Sequence, residues 1–280
     1  MWVYIKEFSV VSMARCLDVS RSSYYEYIKR ITRPINKSEE ELKTFVFNCW
    51  KEYRKVYGLP RILKKAKELH LPYGERKIRK AMKSLKIQGK QAKKFKINTT
   101  DSNHNERTAP DLVQREFKVF TKNQVWVSDV TFIKSFNGWL YLCVILDLYS
   151  RKVVGWSISE KNDTQLILNT LERAVINRNP GQGLIFHSDR GSNYCSREIR
   201  EKLILYRMRR SNSRKGNCWD NAVAESFFST LKREIEFNIF QNREDAIYHL
   251  FEYLEIFYNR QRTHSFLGYM SPEDFELKIA

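Results

Sequence analysis

Between residues 123 and 190 the chain reads as strand, hairpin turn, strand, strand, helix and strand. That order restricts the fold more than any other feature. Val125–Ile133 is a β-branched and aromatic stretch, Asn137-Gly138 is a hairpin dipeptide, and Trp139–Leu148 and Lys152–Ser159 are the next two strands. Asp163–Asn177 carries Leu166, Leu168, Leu171, Ala174 and Val175 at helical spacing. Behind Pro180-Gly181, the short apolar run Gly183–Phe186 reads as a buried strand. The first and fourth strands each bring an acid. Asp129 lies within Gln124–Phe132, where it shares a strand face with Val125 and Val127 while Trp126, Ser128 and Val130 take the other. Asp189 stands just beyond the fourth strand, before the turn Arg190-Gly191-Ser192.

A third acid follows at fixed distance. Glu225 comes 225 − 189 = 36 positions after Asp189, in a segment that starts with a capping-type Asp220 or Asn221 and continues as an apolar-periodic helix. Alone, an aspartate in a strand reads as a solvated edge residue. An acid inside a strand, one at a strand end and one on a later helix instead make a carboxylate set suited to Mg²⁺, which takes few protein ligands and leaves its other positions to water and phosphate oxygens.

The words around these acids resemble a known family. Trp126-x-x-Asp129-Val130-Thr131, His187-Ser188-Asp189-Arg190-Gly191-Ser192-x-Tyr194 and Gly216-Asn217-x-x-Asp220-Asn221-Ala222-x-x-Glu225-Ser226 are similar to the DDE catalytic core of insertion-sequence transposases of the downstream-frame (OrfB) type. That core is related to retroviral integrases. The resemblance implies an α/β, ribonuclease-H-like integrase catalytic core, a mixed sheet with helices, preceded by a small all-α helix-turn-helix region. It also implies catalytic and metal-binding roles for Asp129, Asp189 and Glu225. Two Mg²⁺ (or Mn²⁺) ions about 3.5–4 Å apart would hold the scissile phosphate, activate the nucleophile and stabilise the leaving oxygen. Asp129 would bridge the ions, with Asp189 completing one and Glu225 the other. Water, and then the freed DNA 3′-hydroxyl, would be the nucleophiles. One phosphodiester replaces another, so no nucleotide site is needed, and no Gly-rich loop followed by Lys-Ser/Thr is present. Three acids brought together without metal should repel, raising at least one carboxyl pKa.

Charge divides the chain. Residues 1–122 hold 29 Lys and Arg against 13 Asp and Glu, whereas residues 123–280 hold 21 against 19. A basic first part joined to a near-neutral second part points to a nucleic-acid reader ahead of a catalytic unit. The expected boundaries are a helical segment at 1–34, a basic helix-turn-helix domain at 35–97, a linker at 98–122 and the core with its helical tail at 123–280. The segment around Val10, Met13 and Leu17, then Leu17-Asp18-Val19-Ser20 and Arg21–Ile28, fits either a helix-turn-helix or an ordinary helical hairpin. After Pro34 and the polar stretch Asn36–Glu41, two helices are expected at Arg61–Leu69 and Glu75–Leu85. The second would turn Ile78, Met82 and Leu85 inward. Between Arg76 and Lys96 stand ten Lys or Arg and no acid, including Arg76, Lys77, Arg79, Lys80 and Lys83. Such a run self-repels unless it meets a polyanion, so double-stranded DNA is the expected partner.

The five cysteines and five histidines form no ligand-like cluster, which favours a reducing, cytoplasmic setting and disfavours zinc. In that respect the chain departs from retroviral integrases, whose N-terminal domain is a zinc module. No apolar run reaches membrane length, so no membrane partner is expected.

Several neighbours of the acids are candidates for supporting roles. Lys232 stands 232 − 225 = 7 positions after Glu225, two helical turns on. In related transposases a cation at that place touches DNA. His187 is a candidate for orienting Asp189 or approaching a phosphate, with a packed histidine at a strand end the alternative. Arg190 and Asn221 lie within the motifs. Arg260, Arg262 and His264, in a tail similar to the family's C-terminal ending, either contact DNA or pack the last helix. Ser211–Asn217 reads as a mobile loop or a plain surface turn.

Two classes of function stay open at this stage. One is an active transposase catalytic subunit that cleaves DNA and transfers strands. The other is a catalytically inactive DNA-binding relic or regulator of transposition. A nuclease of RNA–DNA hybrids fits the attached helices less well. The resemblance further implies a homo-oligomer on DNA and an upstream-frame (OrfA-type) partner. That partner, fused by frameshift, would supply most of the end recognition, since no sustained heptad pattern precedes Val19-Ser20-Arg21.

Overall fold

The computed structural model describes residues 7–31, 37–90, 107–214, 218–235 and 239–279. Gly216, Asn217, the linker stretch Asn98–Asn103, and Lys93, Lys94 and Lys96 of the basic run lie outside the described residues.

Five helices come first: α1 (Val10–Cys16), α2 (Arg21–Ile31), α3 (Lys37–Glu52), α4 (Leu59–Glu68) and α5 (Glu75–Ser84). Serine hydroxyls start the first two. Ser9 Oγ accepts the Ser12 N–H at 3.1 Å and Ser20 Oγ accepts the Ser23 N–H at 3.0 Å. The polar stretch Asn36–Glu41, expected to separate elements, instead opens α3 from Lys37 onward. Its acids Glu39 and Glu40 occupy the first turn, where the helix dipole favours negative charge. Helices α4 and α5 bury Ile62, Ala66, Ile78, Ala81 and Met82.

The sheet follows: β1 (Val125–Ser135), β2 (Gly138–Asp147), β3 (Val153–Ser159), α6 (Thr164–Arg178), β4 (Ile185–Ser188), α7 (Ser192–Cys195), α8 (Arg197–Leu205) and β5 (Arg209–Asn212). The strand order is β3-β2-β1-β4-β5. β1, β2 and β3 pair antiparallel, and β4 and β5 join in parallel, so the central strand is β1. The mixed sheet is as expected and four of its strands stand where the sequence puts them, with ends moved by one or two residues, while β5 is an addition. Asp163 caps α6 through the Leu166 N–H at 3.0 Å. Gly155 lets α6 approach β3 closely: a Cβ there would stand 2.7 Å from the Thr170 carbonyl oxygen.

A short 3-10 turn (Cys218–Asn221) leads into α9 (Ala222–Glu234). Then come α10 (Arg243–Phe251), which continues as a π-helical stretch Glu252–Tyr258, and α11 (Pro272–Ile279). The two sheet faces have separate cores. Trp126, Ile145, Phe186, Leu166 and Leu171 pack on the α6 side. Val125, Val127, Leu142, Phe227, Leu231 and Tyr253 pack on the α9 side, and this core runs on without a break into Val46, Tyr57, Ile62 and Ile78 of the N-terminal helices. The alternation expected for β1 is therefore observed, with Val125 and Val127 on one face and Trp126 on the other.

Hydrogen bonds fasten the same junction. Tyr57, fully buried, donates its hydroxyl to Gln261 O at 3.0 Å and accepts the Thr263 N–H at 3.1 Å, while Arg61 Nε donates to Thr263 O at 3.0 Å. No helix among the described residues is long and apolar enough to cross a membrane.

Candidate active site

One register relates β1 to β4. Val125 pairs with Ile185, Trp126 with Phe186 and Val127 with His187, a constant offset of 60. Carried two residues further, it sets Asp129 opposite Asp189, where the parallel pairing has ended. Asp129 thus lies part-way along β1, on the face covered by α9 and level with the end of β4, just beyond which Asp189 stands. Each has one carboxylate oxygen fixed by the backbone: Asp129 Oδ1 accepts the Val130 N–H at 2.8 Å and Asp189 Oδ1 accepts the Gly191 N–H at 2.9 Å. Glycine suits position 191, because a Cβ would stand 3.1 Å from Asp189 Oδ1.

Glu225 lies in the first turn of α9. Phe227, Phe228 and Leu231 seat that helix on the Val125–Val127 face, and Asn221 Nδ2 ties its start to Ser128 O at 3.4 Å, one residue before Asp129. Burial raises the Asp129 pKa well above the usual carboxylate range, and the charges of Asp189 and then Glu225 add to it. The Val130 N–H and the Lys232 ammonium oppose them. Burial also raises the Glu225 carboxyl. The anticipated repulsion is present, but desolvation is the larger cause.

Lys232 stands in the same field. Burial lowers its pKa, Asp129 partly offsets that, and its Nζ lies 4.5 Å from the Phe132 ring centre. His187 is wholly buried. Its Nδ1 faces Ser211 Oγ at 2.8 Å and its Nε2 faces Asp220 O at 3.1 Å, and burial lowers its pKa, with Asp111 partly opposing. The packed alternative describes it: His187 joins β4 and β5 to the turn before α9. Arg190 Nε donates to Ser213 O at 2.6 Å. Arg260, exposed, pairs with Glu273 at 3.4 Å. His264 is enclosed between Arg262 and the Tyr258 ring, and burial with nearby guanidinium charge holds its pKa far below normal. On α5, Arg76, Lys77, Arg79, Lys80 and Lys83 are all exposed, and Arg79 pairs with Glu75.

Two expectations need correction. Ser211, Asn212 and Ser213 are not a loose surface turn. Ser211 and Asn212 end β5, Ser213 follows, and all three are buried, with Asn212 Nδ2 donating to Asp189 O at 3.0 Å and the Ser213 N–H donating to Ser188 O at 2.9 Å. Of the two capping candidates, Asn221 takes the N-cap position of α9, without a side-chain cap bond, and Asp220 serves elsewhere. Its buried carboxylate receives Arg214 Nε, Arg214 Nη2 and Arg115 Nε, each at 2.9 Å, and Arg214's side chain first among these interactions holds its pKa far below normal.

Tyr194 also contributes, unannounced by any sequence signal beyond its place in the motif. Its hydroxyl meets Ser128 Oγ at 2.8 Å behind Asp129, bracing the Asp189 turn against β1.

Carboxylate oxygens are hard donors that match magnesium chemistry, and Asp129 with Asp189 supplies the one or two carboxylates such an ion takes. Among the described residues, no group of three His, Cys, Asp or Glu is drawn close enough to hold a metal together. Asp189 and Glu225 are both felt at Asp129 through their charges.

The family of integrase core domains matches residues 121–218, and a second family of the same description matches residues 206–272. The chain is 40% identical over 267 residues to the insertion element IS600 uncharacterized 31 kDa protein of Shigella sonnei, covering 95% of this chain and 98% of that one. It is 34% identical over 275 residues to transposase InsF for insertion sequence IS3A of Escherichia coli K12, covering 97% and 95%. The chain belongs to the insertion-sequence transposases. With the integrase core family matched across its mixed sheet, the transposase has the ribonuclease-H-like, integrase-type core expected from its motifs. Among solved structures, it is similar to the HTLV-2 integrase catalytic core domain in complex with magnesium. There the TM-score is 0.45 at 17% identity, over 57% of this chain and 99% of that one. It is also similar to a chain of the simian T-cell lymphotropic virus intasome in complex with PP2A regulatory subunit B56 gamma. That TM-score is 0.46 at 11% identity, over 82% and 73%.

Proposed function

We propose that the transposase cuts and rejoins DNA at a divalent-metal site made by Asp129, Asp189 and Glu225. The observation that supports this reading is the shared β1–β4 register, whose offset of 60 puts Asp129 of β1 level with Asp189, just past the end of β4. Asp129 and Asp189 would hold the ion, Mg²⁺ or Mn²⁺, and Glu225 would complete a second position. Bound there, it polarises a phosphodiester and makes an attacking water a stronger nucleophile.

The chain's own residues do the rest. Val130 N–H and Gly191 N–H fix one oxygen of each aspartate, and Asn221 anchors the Glu225 helix to β1. Lys232, within the field of Asp129, offers a cation to a strand phosphate. Water attack breaks one P–O bond and frees a 3′-hydroxyl. That hydroxyl then attacks a second phosphodiester, whose own 3′-oxygen leaves as a new 3′-hydroxyl, so one phosphodiester forms as one breaks. The exposed cations of α5 bind DNA backbone, and the basic helices at 35–97 serve as the reader of a protein that works as a homo-oligomer in the cytoplasm, with an upstream-frame partner adding end specificity.

The test is a Mg²⁺-dependent nicking and joining assay on duplexes carrying the element's ends, with a chelated control. Metal-dependent nicks and joined products are expected. DNA binding without any cleavage would favour the inactive regulator instead.

A further inference from the structure

The β1–β2 hairpin extends past the end of β3, which pairs no further than Tyr141, and exposes aromatic surface. Lys134 pairs with Trp139 and Phe132 with Tyr141, so Phe132, Lys134, Trp139 and Tyr141 share one face. The opposite face of the same hairpin is buried through Ile133 and Leu140. Trp139 is 52% exposed and Phe136, at the tip, 75%. Phe132 and Trp139 meet edge to face with ring centres 5.0 Å apart, a diagonal cross-strand pair that holds the indole in place. Lys232 reaches the Phe132 ring from α9, and from Val130 to Leu146 the only charged residue is Lys134.

We propose that Phe132 and Trp139, with Lys232 and Lys134 at their margins, form a stacking site for an unpaired nucleobase of the DNA strand entering the Asp129 site. Fixed aromatic faces beside cations are the arrangement that binds single-stranded nucleic acid, the ring taking a base and the ammonium its phosphate. A second copy of the chain is a poorer occupant, because a symmetric contact would set Lys134 and Lys232 against their own counterparts. Phe132 lies three residues along β1 from Asp129 on the opposite strand face, and Lys232, which reaches the Phe132 ring and feels the Asp129 charge, connects the patch to the acids. The inference rests on the DNA-cleaving reading given above.

The test uses the full chain and fluorescence anisotropy on two labelled duplexes. One is blunt and the other carries three unpaired nucleotides at one strand end. The wild type is expected to prefer the frayed duplex. Trp139→Ala should lose about 5- to 150-fold in affinity for it, the range set by stacking of one base, while blunt-end binding stays unchanged. Trp139→Phe should keep most of the preference, and because the indole is half exposed both variants should melt like the wild type. Equal loss on both duplexes, or no loss, would overturn the site. So would a change in sedimentation of Trp139→Ala without any change in DNA binding, which would mark the patch as a self-association surface. Mg²⁺-dependent nicking by the wild type is measured on the same DNAs. Nicking with an indifferent Trp139→Ala sinks this inference alone, whereas a wild type that never nicks sinks the reading beneath it.

Discussion

Arg262 places Nε and Nη2 on the two carboxylate oxygens of Glu234, at 2.7 and 2.8 Å, with both side chains buried. Tyr253 donates its hydroxyl to the same carboxylate at 2.9 Å. Glu234 closes α9, 234 − 225 = 9 residues after Glu225. The residues on either side of Arg262 are held by Tyr57 and Arg61. One buried ion pair thus joins the helix of a proposed catalytic acid, the C-terminal tail and the basic N-terminal helices.

Removing one partner strands the other charge. Arg262→Met should cost about 3–5 kcal/mol of stability in urea unfolding. The double variant Arg262→Met with Glu234→Gln should recover much of that, since neither charge is then left alone. A double variant no better than the single one would show that packing, and not charge pairing, dominates there.

Metal binding should depend on pH through Asp129. Its pKa is raised in the metal-free protein, so the folded state binds more protons than the unfolded state above the ordinary carboxylate range. Metal-free stability should therefore fall as pH rises out of that range. Asp129→Asn should melt higher than the wild type at neutral pH, and the difference should vanish on acidification below about pH 4. Mn²⁺ titrations should tighten with rising pH and release protons, and Asp129→Asn should lose that dependence. Thermal melts without metal that favour the wild type at neutral pH would contradict the assignment.

The exposed cations of α5 should act by counterion release. In the full chain, replacing Arg76, Lys77, Lys80 and Lys83 one at a time by Ala should lower the slope of log affinity against log salt by about 0.9 for each phosphate that is no longer neutralised. The full chain is the right object because Val46, Tyr57, Ile62 and Ile78 share a core with α9 and the sheet, so an isolated fragment 1–97 would expose them. Unchanged slopes would make α5 an ordinary solvated face.

Asp220 should matter to the start of α9. Its pKa is depressed by Arg214 and Arg115, so its contribution to stability is present above the ordinary carboxylate range and is lost as pH falls through its folded pKa. Asp220→Asn should destabilise by about 2 kcal/mol at neutral pH, the scale of hydrogen bonds to a charged group, and should flatten the acid limb of the stability profile. An unaltered acid limb would remove Asp220 from that role.

The first four strands, the acids and the α6 helix are legible in the sequence because each is local: alternation in Val125–Ile133, an Asn-Gly turn, helical spacing from Leu166. The spacing of 60 between Asp129 and Asp189 is visible too. Its meaning is not, because parallel pairing of β1 with β4 is set by tertiary packing and not by neighbours in the chain. For the same reason only the fold, with Ser211 and Asp220 on its two nitrogens, separates His187 from a site residue. Asp220 reads as a cap because Asp before a helix usually is one. Its partner Arg115 comes from 105 residues away. The α3 helix is hidden by a polar first turn whose acids suit a helix start, and the exposed Trp139 is indistinguishable in sequence from a core tryptophan.

The central claim is that Asp129, Asp189 and Glu225 form one metal-dependent site for strand cleavage and transfer. Its most direct test is to make Asp129→Asn, Asp189→Asn and Glu225→Gln in the full chain, then measure nicking and joining in Mg²⁺ alongside DNA affinity by anisotropy. Each variant is expected to lose both reactions while binding DNA as the wild type does, since each removes a metal ligand and changes little else. Retained cleavage by any one of the three at ordinary Mg²⁺ would contradict the account for that residue.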